Sequence, residues 1–113
     1  MIQVYHNNRC GKSREAIKIL EASGKVFEII KYLKNPPTSQ ELETLLAKLN
    51  YTPLELVRQN ESLWKENFKE KNLSNKEIIK ALVENPILIE RPIVIFEDKA
   101  IVARPPAKLN DFI

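Results

Sequence analysis

The hydrophobic pattern of the first thirty residues limits the possible folds more than any other feature of the sequence. Residues 2–5 alternate as a short strand does, and the apolar run at 26–30 predicts a second, more deeply buried strand. Between them, apolar residues recur at helical spacing from about Gly11 to Ser23, and Gly24 is a typical helix stop. A strand, a helix and a strand within about thirty residues form a βαβ unit, so we expect these two strands to be parallel.

The middle of the chain changes to a helical period and the end returns to a period of two. Residues 38–49 and 74–84 each open with a capping box and continue with apolar residues at helical spacing. A short helical piece carrying Arg58 begins at Pro53, and a further helical segment contains Trp64, which we expect in the core. The segments 92–96 and 100–104 flank the turn "EDK" as a β-hairpin does, and a small helix is expected over 109–113.

This order predicts an α/β protein with a thioredoxin/glutaredoxin-like βαβ–ββα core and a helical insertion in its middle. We expect a single domain over 1–113, with core halves at 1–34 and 86–113 and the insertion at about 35–85.

Composition excludes several classes of protein. The 43% hydrophobic and 29% charged content of the 113 residues is typical of a globular domain, and no apolar run approaches the length of a membrane span. A single cysteine excludes an internal disulfide framework and a cysteine-built zinc site, so no metal is expected. The first residues do not resemble a signal peptide, and we expect a cytoplasmic protein. The net charge of +3, with no basic stripe, gives no reason to expect nucleic-acid binding.

The only cysteine, Cys10, lies between the first strand and the first helix in "YHNNRCGKSRE". A helix N-terminus stabilises a thiolate and offers free N–H groups to an anion. Gly11 allows a close approach of the backbone, Ser13 can donate to the sulfur, and Lys12 with its basic neighbours raises the local potential. The competing interpretation is a buried small side chain. We favour a nucleophile because Arg, Gly, Lys and Ser are unusual neighbours for a core residue.

The absence of a second cysteine limits the reaction mechanisms that are possible. Thioredoxin-type oxidoreductases often use CxxC, whose second cysteine resolves the mixed disulfide, whereas Ser13 holds that place here. An external thiol must therefore resolve a modified Cys10. A phosphatase-type loop would need an arginine six residues after the cysteine, where this chain has Ala16.

The blocks "YHNNRCGKSRE", "YLKNPPT", "ELVRQNE", "ERPIV" and "ARPP" together resemble the ArsC family of glutaredoxin-coupled arsenate reductases. The resemblance implies that Cys10 is the nucleophile and that His6 and Ser13 assist it. It also implies three oxyanion-binding arginines and a cis-proline facing the cysteine, which match Arg58, Arg91, Arg104 and Pro92. From the residues alone, Arg58 could equally be a surface charge and His6 a half-buried polar residue. The chain departs from the family at Asn8, where proline is usual, which affects the expected stiffness of the loop.

The implied activity is reduction of arsenate to arsenite, with glutathione as co-substrate, glutaredoxin as the reductant of Cys10 and no bound cofactor. The mild net charge and the single domain favour a monomer. Two alternatives remain open. One is a glutathione-dependent thiol reductase of the same superfamily with another substrate. The other is an Spx-like regulator that binds RNA polymerase, which the missing CxxC disfavours.

Overall fold

A four-stranded mixed sheet organises the two ends of the chain. The computed structural model describes all 113 residues. Residues 1–35 and 91–113 form one unit and residues 36–90 another. The strands of the first unit are β1 (Ile2–Tyr5), β2 (Phe27–Ile30), β3 (Ile93–Phe96) and β4 (Lys99–Val102), in the spatial order β2-β1-β3-β4. β1 is parallel to β2, as predicted, and antiparallel to β3, which pairs with β4 as a hairpin.

Helix α1 (Gly11–Ser23) packs on this sheet and has the predicted bounds. Gly24 ends it with a φ of 73°, a left-handed conformation that costs glycine little, and its N–H donates to Glu21 O at 3.3 Å. Ala16 and Leu20 of α1 are fully buried. They belong to a core cluster with Ile2, Val4, Val94, Ala103 and Leu109. The last of these begins α5 (Leu109–Phe112), which follows a 3₁₀ helix at Pro106–Lys108.

The prediction that the second strand is more deeply buried was wrong. β2 begins at Phe27, and Val26 is 72% exposed. Ile29 is also exposed, and no residue of β2 is fully buried. The reason is that β2 is an edge strand of the sheet, a position that an apolar run cannot reveal by itself.

The hairpin turn contains two residues rather than three, because Lys99 already pairs with Phe96. Glu97 has a φ of 60°, the left-handed conformation common in two-residue hairpin loops. The peptide bonds Arg91–Pro92 and Arg104–Pro105, before and after the hairpin, are both cis.

The second unit contains α2 (Ser39–Leu49), α3 (Ser62–Asn67) and α4 (Asn75–Glu84), with 3₁₀ helices at Pro53–Leu56 and Pro86–Leu88. Both predicted capping boxes are present: Thr38 with Glu41 opens α2, and Ser74 with Glu77 opens α4. Trp64 is buried, as expected. The unit includes residues 86–90 because Ile89 forms a β-bridge with Val57.

Arg58 does not lie on a helix, contrary to the prediction that the helical piece includes it. The 3₁₀ helix ends at Leu56, and the chain then runs extended beside residues 88–90. The N–H of Arg58 donates to Leu88 O at 2.7 Å, and the N–H of Glu90 donates to Leu56 O at 2.8 Å. These two bonds use backbone groups that a continuing helix would need.

The whole chain therefore has a mixed α/β fold of the thioredoxin-like type, with a helical segment between β2 and β3. None of its helices combines the length and apolar character that crossing a bilayer requires.

Candidate active site

Four segments converge at one end of the sheet. Tyr5, the last residue of β1, pairs with Ile30 at the end of β2 and with Ile93 at the start of β3. Ile93 in turn pairs with Val102, the last residue of β4. The segments beyond these residues therefore share this end of the sheet: 6–10, 31–35, 91–92 and 103–105.

Cys10 is the N-cap residue of α1 and is 9% exposed. Its backbone is extended, with φ −94° and ψ 122°. The N–H of Cys10 donates to Asn7 O at 3.0 Å, and Cys10 O accepts from Arg14 N–H at 3.1 Å. The thiol is thus held at the start of a thirteen-residue helix.

The pKa of the Cys10 thiol is lowered although the thiol is buried. Burial acts to raise this pKa and is the largest single influence. The hydrogen bonds from the Ser13 backbone, the Ser13 side chain and the Lys12 backbone, together with the charge of Arg104, outweigh it. The result is a thiol whose anion is favoured at lower pH than in an ordinary cysteine, which is the property of a nucleophile.

Ser13 connects the loop to the thiol. Its side chain is completely buried. Its Oγ accepts from Asn7 N–H at 3.4 Å and hydrogen-bonds to the Cys10 sulfur, so one hydroxyl links the two. Since a hydroxyl has one proton to donate, the arrangement directs that proton to the sulfur.

Two side chains hold the loop where the ArsC family usually has proline. Asn7 Oδ1 accepts from Arg9 N–H at 3.0 Å, which forms a local turn. Arg14 Nη1, from α1, donates to Asn8 O at 3.1 Å. This chain therefore secures the loop with hydrogen bonds that do not depend on a fixed φ at Asn8.

Gly11 and Lys12 contribute chiefly through the backbone. A Cβ built at Gly11 would meet only Arg14 Nη2, at 3.8 Å, an ordinary contact. No neighbouring group of the chain requires glycine there, so any need for it would come from a bound ligand. Lys12 is exposed and directs its N–H at the sulfur.

Arg91 and Arg104 lie together beside the cysteine loop. Arg104 Nη1 donates to Arg91 O at 3.2 Å, while the N–H of Ala103 donates to Pro92 O at 2.9 Å. The Nε and Nη1 atoms of Arg91 are buried and have no hydrogen-bond partner in the protein. Buried guanidinium N–H groups without an acceptor are costly unless an anion satisfies them. This corner therefore suits an oxyanion.

His6 lies on the other flank of the loop. Its N–H donates to Ile30 O at 3.0 Å. Burial, then the charges of Lys31 and Arg14, lower the pKa of its imidazole below the usual 6.5, so the neutral form of the ring predominates at pH 7. Its Nδ1 atom is buried and has no hydrogen-bond partner. A neutral ring adds no positive charge near the thiolate, so a role for His6 would have to be hydrogen bonding.

Arg58 belongs to the second unit. Its Nη1 contacts Glu61 Oε2 at 2.7 Å and its Nε contacts Glu90 Oε1 at 3.7 Å. An anion that used Arg58 would have to compete with these two carboxylates.

Sequence reasoning missed the lysines at this end of the sheet, Lys31 and Lys34, and the loop-holding roles of Asn7 and Arg14. A signal for the lysines existed. The carboxyl ends of two parallel strands meet at one sheet edge, so residues after β2 must lie near residues after β1. No group of three or more His, Cys, Asp or Glu side chains comes together in the structure.

Known proteins resemble this chain over almost its full length. The model of the ArsC family matches residues 5–112. An arsenate reductase of Neisseria meningitidis is 40% identical over 106 residues, covering 92% of this chain and 91% of the relative. The uncharacterized protein YfgD of Escherichia coli is also 40% identical, over 99% and 96% of the two chains. The solved structure of an arsenate reductase from Vibrio cholerae superposes with a TM-score of 0.93 at 37% identity, covering 99% and 97%.

Proposed function

Since this chain belongs to the ArsC family, we propose that it reduces arsenate to arsenite with Cys10 as nucleophile. The observation that best supports the proposal is the pair of buried, unpartnered N–H groups of Arg91 at the sheet end that carries Cys10. A tetrahedral oxyanion provides the acceptors that these donors lack. An Arg–oxyanion contact uses paired donors, a geometry that lysine does not reproduce.

The first step is attack of the Cys10 thiolate on arsenic. A sulfur–arsenic bond forms and one arsenate oxygen leaves as water after protonation. Arg91 and Arg104 hold the remaining oxygens, and the backbone N–H groups at the start of α1 face the charge that is redistributed. The lowered pKa of Cys10 favours the thiolate, which is the form that attacks arsenic.

The second step uses an external thiol, because the chain has one cysteine and Ser13 cannot resolve the adduct. The sulfur of glutathione attacks the Cys10 sulfur, and the sulfur–arsenic bond breaks with its electron pair remaining on arsenic. Arsenic goes from the +5 to the +3 state, the two sulfurs are oxidised to a disulfide, and the glutathione proton leaves on arsenite. Glutaredoxin then removes glutathione by thiol–disulfide exchange and restores Cys10.

This sequence of steps needs no bound cofactor, and glutathione is a consumed co-substrate. We place the protein in the cytoplasm, where thiols are kept reduced, and expect a monomer because its net charge is mild and its length fits one domain. Arg58 remains a prediction of the family resemblance, and its alanine variant tests it.

A second candidate is a glutathione-dependent thiol reductase with a substrate other than arsenate. The same feature favours it, because the free donors of Arg91 suit a carboxylate as well as an oxyanion.

The test is arsenate-dependent NADPH oxidation coupled through glutathione, glutaredoxin and glutathione reductase. We expect turnover that requires all components and that Cys10→Ser abolishes. Cys10→Ser replaces only the sulfur with an oxygen, so the unfolding midpoint of the variant should be close to that of the wild type. Absence of turnover in a folded protein whose Cys10 still reacts with iodoacetamide would reject arsenate and favour the second candidate.

A further inference from the structure

A cavity of about 310 Å³ lies on the flank of the cysteine loop opposite to Arg91. Residues of two segments line it: His6, Asn7, Asn8, Arg9, Lys31, Leu33 and Lys34. The first segment leads directly into Cys10, and the second follows β2. Pockets for small organic ligands measure roughly 300–1,000 Å³, so the cavity is large for a single oxyanion and suits a small organic molecule.

The lining is cationic and contains no acidic residue. The carbonyl of Lys31 accepts the N–H groups of both Lys34 and Asn35 at 3.0 Å, which makes one helical turn. Side chains three residues apart lie on the same side of such a turn, so both lysines face the cavity together. Arg9, from the segment that leads into Cys10, adds a third positive charge to the lining.

Two further features of the lining match an organic anion. The buried, unpartnered Nδ1 atom of His6 offers a hydrogen-bonding group that the protein leaves unused. Leu33 is 42% exposed and supplies an apolar wall. The cavity thus combines three cations, one neutral hydrogen-bonding ring and an apolar side chain.

We propose that this cavity binds the carboxylates of glutathione, the dicarboxylate thiol that attacks the Cys10 adduct. The assignment rests on the proposed function for the identity of the thiol. A tripeptide in extended form spans roughly 10 Å, while Arg9 is a direct chain neighbour of Cys10, about 3.8 Å away between Cα atoms. Because Arg9 lines the cavity and directly precedes Cys10, a ligand of this length in the cavity has the reach to present its sulfur to Cys10. The oxyanion and the thiol would then approach Cys10 from opposite flanks of the loop.

The experiment is an NMR titration with S-methylglutathione, which keeps both carboxylates and has no reactive thiol. We expect the largest amide shifts in 6–9 and 31–34. The diethyl ester of the same ligand, which lacks the carboxylates, should bind much more weakly. Lys31→Ala and Lys34→Ala should each weaken binding about two- to fivefold, as expected for exposed ion pairs, and raise the KM for glutathione without changing that for arsenate. Lys76→Ala, an exposed lysine of α4, is the matched control for net charge.

The outcomes separate this inference from the proposed function. Binding in the cavity without arsenate turnover would support the inference and reject arsenate as substrate. Arsenate turnover with ligand shifts confined to other residues would overturn the inference alone. Equal binding of the diester, or shifts reproduced in full by inorganic phosphate at the same concentration, would show that the carboxylates of glutathione are not what the cavity recognises.

Discussion

Ser13→Ala should raise the pKa of the Cys10 thiol while leaving the fold intact. The substitution removes the Oγ atom that hydrogen-bonds to the sulfur, but the backbone N–H groups of Ser13 and Lys12 and the charge of Arg104 remain. A hydrogen bond to a charged group contributes about 1.5–3 kcal/mol, and about 1.4 kcal/mol corresponds to a tenfold change in an equilibrium. At a pH below both midpoints, the thiolate fraction should therefore fall about ten- to a hundredfold.

The assay is the rate of Cys10 alkylation by iodoacetamide as a function of pH. The midpoint of the curve is the quantity to compare, because a more basic thiolate is intrinsically more nucleophilic and a single rate would mix the two effects. Ser23→Ala is a matched control on the same helix, since the Ser23 hydroxyl donates to Leu20 O at 2.6 Å and should not affect the thiol.

Ser13 is fully buried, so an unfolding curve must accompany each variant. A folded Ser13→Ala protein with the wild-type midpoint would refute the reasoning, because it would mean that the helix backbone and Arg104 alone favour the thiolate. A midpoint shifted equally by Ser23→Ala would attribute the effect to the helix as a whole.

Three further predictions concern the surroundings of the thiol. Arg91→Ala should raise about a hundredfold the arsenate concentration needed for a given rise in melting temperature, because two charge-assisted hydrogen bonds to the anion are lost. The midpoint of Cys10 alkylation should stay near that of the wild type. A large change in that midpoint would contradict a purely anion-binding role of Arg91. The pKa of His6 is lower in the folded protein than in the unfolded chain, so the unfolded chain binds more protons between the folded pKa and about 6.5, and the free energy of unfolding falls as pH decreases through that window. Urea titrations at several pH values should show a smaller loss in His6→Gln than in the wild type. Identical pH profiles of the two proteins would count against this prediction. Asn8→Pro should stabilise the protein by about 0.4–1 kcal/mol in the same titrations, because the Arg14 contact uses the carbonyl oxygen that proline keeps; destabilisation would mean that the φ of Asn8 is incompatible with proline.

The elements that the sequence predicted correctly have local causes. α1 ends at Gly24, which adopts a positive φ, and α2 and α4 begin at capping boxes whose hydrogen bonds span three residues. Each signal is contained in a few neighbouring residues, so it can be read without knowing the rest of the fold. The parallel pairing of β1 and β2 follows for the same reason, because a helix of this length between two strands leaves little choice of direction.

The errors have non-local causes. An apolar run predicts a strand but not its place in the sheet, and β2 turned out to be an edge. The sequence predicts Arg58 on a helix because Pro53 opens one, yet pairing with residues 88–90 ends that helix at Leu56. Within the site, the position of Cys10 at a helix start follows from its neighbouring residues alone. To place the lysines after β2 beside the loop, the pairing of β2 with β1 must be considered as well.

The placement of a lone thiol at this helix start has a consequence for charge. The proposed reaction brings together a thiolate, an oxyanion and a dicarboxylate thiol, all negative, and like charges at close range repel unless each meets its own positive partners. Helix N–H groups serve the thiolate, buried donors of Arg91 suit the oxyanion, and the exposed lysines after β2 suit the carboxylates. Salt screens exposed charges much more than buried ones. The KM for glutathione should therefore rise more steeply with ionic strength than the KM for arsenate. If the KM for glutathione and the KM for arsenate depended equally on salt, both anions would use the same set of cations rather than one flank of the loop each.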